Sequence, residues 1–359
     1  MKTRKATGAN RDGLTLGIKR GPTLKEVADH LRLTKGTISA VLNNSPAAKA
    51  IPQRTKDLIL AAAQELNYQP NFFARTLVKK RTFTVGVVAE EIGDPYGAMV
   101  IDGIESALSQ REYFFWTIAH RHDAQKLRQY LYMLESRGVE GFITVDAILT
   151  EGSRLPTVAV AGHHNVKGVI NIVLDHMHAA EIALQHLYDL GHRRIACIRG
   201  QSFSADAFDR WNSIRKVAAR LGINVPPELT VQQTTDDPSP QQGYRLTRCL
   251  LERATGFTAV FAYNDVAAIG AIRAIREAGL RVPEDISVVG FDDIRDAAYH
   301  VPSLTTVRQP LRTMGEMAAQ ILVDRIEGRK DHPSRVAIEP ELVIRESTGR
   351  AQISQTQAG

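Results

Sequence analysis

From Phe83 onward the chain alternates short apolar runs with longer amphipathic ones, and this alternation constrains the fold more than any other feature. The apolar runs are "FTVGVVAEE" (83–91), "FFWTIA" (114–119), "GFITVD" (141–146), "TVAVAG" (157–162), "GVINIVL" (168–174), "RIACIRG" (194–200), "LTVQQ" (229–233), "AVFAY" (259–263) and "ISVVGFD" (286–292). Helical runs lie between most of them, among them "AMVIDGIESALSQR", "HAAEIALQHLYDLGH", "RWNSIRKVAARLG" and "DVAAIGAIRAIREAGL". A strand written as a continuous apolar run is buried on both faces, and helices between such strands supply the cover of a parallel sheet. Residues 83–346 exceed what one such unit needs, so the pattern predicts an α/β core of two doubly wound parallel-sheet lobes.

The 82 residues before this core are different in kind. They carry 16 Lys and Arg against 5 Asp and Glu, leaving 29 against 34 for residues 83–359. A basic head on a mildly acidic body points to a polyanionic partner for the head alone. Part of that charge (Lys2, Arg4, Lys5, Arg11, Lys19, Arg20) lies in residues 1–21, a Gly- and Thr-rich stretch expected to be a disordered basic tail. No apolar run reaches membrane-spanning length and no signal-peptide core precedes the head, which places the protein in the cytoplasm with no membrane partner. Two cysteines, Cys197 and Cys249, give neither a disulfide framework nor zinc spacing.

Four helical signals fill residues 23–80. "TLKEVADHL" begins with Thr23 and Glu26 at capping-box spacing, and "PQRTKDLILAAAQELNY" repeats Leu58, Ile59, Ala62 and Leu66. Between them lies "LTKGTISAVLNNSP" (33–46), poor in helix propensity yet apolar at Ile38, Val41 and Leu42, one face of a helix. Two short helices joined at Arg32-Leu33 form a helix-turn-helix, whose second helix buries one stripe and offers the other to a DNA major groove. Thr34, Lys35, Gly36, Thr37, Ser39, Ala40 and Asn43 are the residues left for the groove. Their small side chains allow close approach, with hydroxyls for phosphates or bases and Lys35 for a guanine edge or phosphate. The fourth segment, "NFFARTLVKK" (71–80), is too short to hold a helix alone in water.

The run "TLKEVADHLRLTKGTISAVLNN…TKDLILAAAQELNYQPNFFARTL" resembles the DNA-binding head of the lactose/galactose repressor (LacI/GalR) family of transcriptional regulators. "DPYGAMVIDGIE", "HLYDLGHRRIACIRG", "NDVAAIGAIRAIREAGLRVPEDISVVGFDD" and "PSLTTVRQP" resemble that family's periplasmic-binding-protein-like core, and the resemblance spans residues 22–346. It implies a small all-α helix-turn-helix head at 22–70, a hinge helix and linker at 71–82, and a type I two-lobed core at 83–346. The N-lobe would comprise about 83–174 and 308–336 and the C-lobe about 175–307 and 337–346, followed by a polar tail at 347–359. It further implies that Thr23 and Tyr68 touch phosphates, that Lys35, Gly36 and Ala40 stand at base-reading positions, and that Asn71, Ala74, Arg75 and Leu77 belong to a hinge that folds on DNA. Leu77 would be the wedge that unstacks a central base step from the minor groove. Arg32 stands where the family commonly has a turn glycine, so a positive φ is expected there, at a cost of about 1 kcal/mol. The loop after Asn43 is about three residues longer than is common in the family.

The same resemblance implies a homodimer on a double-stranded, palindromic operator, its affinity modulated by a small-molecule effector, a sugar or other metabolite, bound between the lobes. Motif matching places Asp94, Tyr96, Arg210, Asn264 and Asp292 at that cleft, with His163 and Phe203 as further effector-binding candidates whose plainer reading is an ordinary rim or core role. Arg210 would hold a carboxylate, phosphate or hydroxyl pair and Asp292 would accept from hydroxyls; the plainer reading of Asn264 and Asp292 is capping and turn formation. No cofactor, catalytic residue or metal site is expected, because no nucleotide-binding glycine motif, nucleophile elbow or ligand spacing is present, although "HRH" (120–122) would put two imidazoles on one face of a strand. The competing reading is a periplasmic-type solute-binding protein, which shares the two lobes but requires a signal peptide and no basic head. An enzyme with a regulatory head would need a catalytic dyad or cofactor loop.

Overall fold

The computed structural model describes residues 21–69, 76, 80–162, 164–235, 239–253, 256–329 and 331–352. The chain divides into two compact units, Met1–Arg81 and Thr82–Gly359. The basic tail, the polar end from 353, His163, and the hinge positions Asn71, Ala74, Arg75 and Leu77 lie outside the described residues.

The first unit is built from α1 (Leu24–Leu31), α2 (Lys35–Leu42) and α3 (Gln53–Glu65). Thr23 and Glu26 form the capping box that starts α1, each side chain bonded to the other's backbone N–H. Arg32 ends the helix in the left-handed region at φ 51° and ψ 39°, and its N–H donates back to Ala28 and Asp29. That conformation turns the chain sharply enough for Thr34 to cap α2 two residues later, its hydroxyl accepting from Thr37 N at 3.1 Å. Val27, Ala28, Ile38 and Ile59 form the centre of the core, with Leu24, Leu31, Leu33, Val41, Leu42, Leu66 and Tyr68 packed around it. Leu58 departs from the apolar stripe read in the sequence and is 54% exposed; α3 buries Ile59, Ala62 and Ala63 instead.

The second unit holds two six-stranded sheets. The N-lobe sheet contains β1 (Thr84–Ala89), β2 (Phe114–Ala119), β3 (Phe142–Val145), β4 (Thr157–Val160), β5 (Val169–Leu174) and β11 (Arg335–Ile338). Its order is β11-β5-β4-β3-β1-β2, parallel throughout. The C-lobe sheet contains β6 (Ile195–Arg199), β7 (Thr230–Gln232), β8 (Ala259–Ala262), β9 (Ser287–Asp292), β10 (Thr305–Arg308) and β12 (Glu341–Val343). Its order is β12-β10-β9-β8-β6-β7. Here β12 runs antiparallel to β10, with Val307 opposite Leu342. It arrives from the other lobe through a two-residue link rather than a crossover helix, so no parallel arrangement is imposed on it. The chain thus passes between lobes three times, after Leu174, Arg308 and Ile338.

Helices cover both faces of each sheet, as buried strands require. In the N-lobe, α4 (Pro95–Gln110) and α10 (Leu311–Ile326) pack on one face and α5 (Ala124–Ser136) on the other. In the C-lobe, α6 (His176–Asp189) and α7 (Ala205–Leu221) face α8 (Gln241–Arg253) and α9 (Asp265–Glu277) across the sheet. The pair α8 and α9 meets at Gly243 and Gly270, where an added Cβ would stand 2.1 Å from Ala267 O and 2.0 Å from Pro240 O. Only glycine permits that approach, which fixes one wall of the cavity described below. The edge strand β2 is the exception to burial: Phe114 and Trp116 are 59% and 50% exposed, their rings edge-to-face at 5.6 Å.

Candidate DNA interface and effector cleft

The recognition face starts at the α2 cap. Thr34, Lys35 and Gly36 are exposed and Thr37 and Ser39 half-buried, while Ile38 between them is fully buried. The Thr34 and Thr37 hydroxyls lie 2.9 Å apart, which orders the first turn. A Cβ on Gly36 would meet nothing closer than Thr34 Oγ1 at 3.7 Å, so the surface there is open. Thr23 is exposed at the start of α1 and Tyr68 half-buried against the core.

Two residues expected on this face behave otherwise. Ala40 is 8% exposed and faces inward. The longer loop after Asn43 folds back as a 3-10 turn, Pro46–Ala50, against α2; Ser45 N donates to Ala40 O at 3.0 Å and Ala48 is buried. Ala40 is therefore withdrawn from the groove-facing set. Asn43 is half-buried, its amide donating to Ser39 O at 2.9 Å and Ser39 Oγ at 3.1 Å, so it closes the helix end as well as facing outward.

In the second unit the carboxyl ends of β1, β3, β6, β8 and β9 converge on a cavity of about 60 Å³ lined from both lobes, the place where open α/β sheets put ligands. Asp94, Tyr96, Arg210, Asn264 and Asp292 all line it. Asp94 caps α4, accepting from Gly97 N at 3.3 Å, and Asn264 caps α9, accepting from Ala267 N at 2.9 Å. Both thus fix the helices that end at the cavity. Arg210 is 3% exposed and tightly held. It donates to Tyr263 O at 2.5 Å and to Asp206 Oδ2 at 3.2 Å, with its guanidinium 3.5 Å from the Phe291 ring centroid and 4.5 Å from that of Tyr263. Asp292 ends β9 at φ 110° and accepts from Gln309 Nε2 at 2.6 Å. Burial pushes its carboxyl well above the ordinary carboxylate range, against the pull of Arg210.

Phe203 is not among the lining residues. Its ring meets that of His122 from the other lobe at a tilt of 49°, centroids 4.1 Å apart, and His122 in turn contacts Glu90 at the cavity wall. The two imidazoles of "HRH" do approach, at 6.2 Å edge-to-face, but on a turn rather than a strand: β2 stops at Ala119, and Arg121 and His122 have φ of 50° and 56°. Among the described residues no group of three or more His, Cys, Asp or Glu is arranged to hold a metal. No described helix is long and apolar enough to cross a membrane.

Several lining groups were not singled out from the sequence. Glu90, Glu91 and Asp146 follow β1 and β3; Gln233 and Tyr263 follow β7 and β8; Asp206 lies one turn before Arg210 on α7. Asp146 is half-buried and hydrogen-bonded to Glu90, and desolvation together with that second carboxyl holds its own well above the ordinary range. Asp206 links Arg210 to His176 Nε2 at 3.1 Å. The i,i+4 spacing of Asp206 and Arg210 is the one signal that could have drawn attention to either acid.

Comparison with known proteins agrees with both parts. "Bacterial regulatory proteins, lacI family" matches residues 23–71, and "Periplasmic binding protein-like domain" matches residues 184–348. The HTH-type transcriptional repressor PurR of Haemophilus influenzae is 31% identical over 338 residues, covering 90% of this chain and 98% of that protein. PurR of Proteus mirabilis is 34% identical over 334 residues, covering 90% and 96%. A crystal structure of the lac repressor dimer bound to operator and the anti-inducer ONPF superposes with a TM-score of 0.82 at 27% identity, covering 92% of this chain and all of that one. The two-lobed core and the capped helix-turn-helix head are thus those of one lineage, and the chain belongs to the lacI family of bacterial regulatory proteins.

Proposed function

We propose that the protein is a cytoplasmic, sequence-specific transcriptional repressor that binds a palindromic operator as a homodimer and responds to a small molecule held between its lobes. The observation that carries the reading is the recognition helix: Thr34, Lys35 and Gly36 stand exposed at its first turn while Ile38 anchors it in the core. Thr37 and Ser39 extend that face, Thr23 and Tyr68 contact the phosphate backbone on either side, and Asn43 caps the helix end beside them. One head reads only a half-site, so two copies are needed for a palindrome. Asn71, Ala74, Arg75 and Leu77 fold as a hinge in the minor groove, with Leu77 as the wedge.

In the core, Asp94, Tyr96, Arg210, Asn264 and Asp292 hold the effector, joined by Asp146 and Asp206. Ligand there biases the angle between lobes, and three inter-lobe passages transmit that angle to the linker at Thr82. The relatives support this: PurR is named a transcriptional repressor, and the lac repressor structure holds operator and anti-inducer together.

Selection from randomised duplex DNA tests the proposal. The recovered sites should be palindromic. Leu77→Ala should lower preference for the selected site over random DNA more than Lys2→Ala does; equal losses would remove the wedge from the account, and recovery of no consensus would remove sequence-specific reading.

A further inference from the structure

The charge of the cleft goes beyond its general role as an effector site, and this inference rests on that role. Among the described residues six carboxyl side chains line it, from Glu90, Glu91, Asp94 and Asp146 in one lobe and Asp206 and Asp292 in the other, with Arg210 as the lining guanidinium. That guanidinium is already matched by Asp206, both side chains being buried. At the rim of the N-lobe, Arg121 lies 3.8 Å from Glu91 and the His122 imidazole contacts Glu90, which leaves Asp146 and Asp292 as lining carboxyls with no ion-pair partner among the described residues. Helix N-termini at the cavity would ordinarily favour an anion, but here each is answered by a carboxylate: Asp94 at α4, Asp206 at α7 and Asp265 at α9. A carboxylate or phosphate ligand would meet acids from both lobes and would work against the ionisation of Asp146 and Asp292, whose charged forms burial already disfavours.

Two polar atoms at the cavity wall have no protein partner although they are buried, Tyr96 Oη and Arg210 Nε. Leaving such atoms unmet is costly, and a polar group brought into the cleft that reached them would relieve that cost. The Tyr96 hydroxyl lies within the field of Asp146, Asp206 and Asp292 together, and that field with its burial keeps it protonated. The cavity, at about 60 Å³, exceeds the ~10–15 Å³ that one water requires.

We propose that the cleft selects a small polyhydroxylated amine, its protonated nitrogen placed between Asp146 and Asp292 and its hydroxyls toward Tyr96 and the remaining carboxylates. An ammonium group supplies three donors and a positive charge that favours the ionised form of both carboxyls. A neutral polyol supplies donors only, and the matched acid supplies hydroxyl donors with a negative charge that opposes them.

The test uses purified full-length protein and two matched series, serinol, glycerol and glycerate, and glucosamine, glucose and gluconate, at constant ionic strength. Melting temperature reports binding, and operator affinity is measured in parallel. At least one amine should raise the melting temperature by several degrees, its neutral counterpart by less and its acid not at all. Asp146→Asn and Asp292→Asn, each checked for native circular dichroism, should weaken amine binding at least tenfold; comparison of amine and polyol on the unaltered protein carries the same decision without a variant. A polyol or acid that binds as well as its amine, or no response to either amine, overturns the assignment. If such a polyol also shifts operator affinity, the effector site stands and only its ligand class falls. If an amine binds through Asp146 and Asp292 while operator affinity stays fixed, the ligand class stands and the effector role falls.

Discussion

The imidazole of His122 and the phenyl ring of Phe203 lie 4.1 Å apart, centroid to centroid, across the mouth of the cleft. His122 follows β2 in the N-lobe and Phe203 follows β6 in the C-lobe, so the pair joins the lobes beside the cavity. Aromatic pairs contribute about 0.5–1.5 kcal/mol beyond their buried area. Phe203→Ala should therefore speed amide exchange in residues 120–123 and 201–204 by about 2- to 10-fold. Unchanged exchange in both loops would mean that the contact does not hold the lobes.

Arg210 is buried between two rings, and the carboxylate that bonds it is Asp206 on the preceding helical turn. Asp206→Asn removes that bonded countercharge from a buried guanidinium and weakens the link to His176. Breaking such a pair costs about 3–5 kcal/mol, and denaturant unfolding of the variant should show a loss of that order. A loss below about 1 kcal/mol would show that Asp206 does not carry the charge balance of the site.

Ala40 lies beneath the turn Pro46–Ala50, so a long side chain there has to displace that turn. Ala40→Arg should cost about 1–3 kcal/mol of head stability, read as faster exchange of the Ile38 and Ile59 amides. Undiminished protection together with a new operator preference would mean that the turn swings aside and the position reads bases after all.

Asp265 contributes a pH dependence of definite sign. It is buried at the start of α9, where it accepts from the Thr306 hydroxyl at 2.5 Å and Ile294 N at 2.9 Å, and burial raises its pKa from 3.8 to about 7. Between those values the folded protein holds a proton that the unfolded chain has released. Its contribution to stability accordingly falls as pH rises from about 4 to about 7 and is flat above. Asp265→Asn should flatten the pH profile of melting temperature in that window; an identical slope in the variant would assign it to other groups.

The core was legible because strands buried on both faces leave continuous apolar runs, and the helices between them leave amphipathic ones. Where burial is one-sided the same letters mislead: Phe114 and Trp116 read as core but lie on an edge strand, and Glu341–Val343 is too short to announce an antiparallel strand. In the head, the positive φ at Arg32 follows from the sharp turn between two helices, and it was expected from the resemblance, which places Arg32 where the family commonly has a turn glycine. The burial of Ala40 was hidden because it depends on where the loop after Asn43 returns. The acids of the cleft were hidden for a related reason. Glu90, Asp146 and Asp206 are unremarkable in their own segments, and only the convergence of strand ends far apart in the chain brings them together.

The central claim is that the head reads an operator and the cleft controls that reading. Fluorescence anisotropy of the selected palindrome, titrated at several salt concentrations with and without a cleft ligand, tests both halves at once. The account predicts affinity that falls steeply with salt, a preference of roughly a thousandfold or more over random duplex, and a shift of at least about fivefold when ligand is added. Equal affinity for palindrome and random DNA, or an operator affinity that no cleft ligand moves, would contradict it.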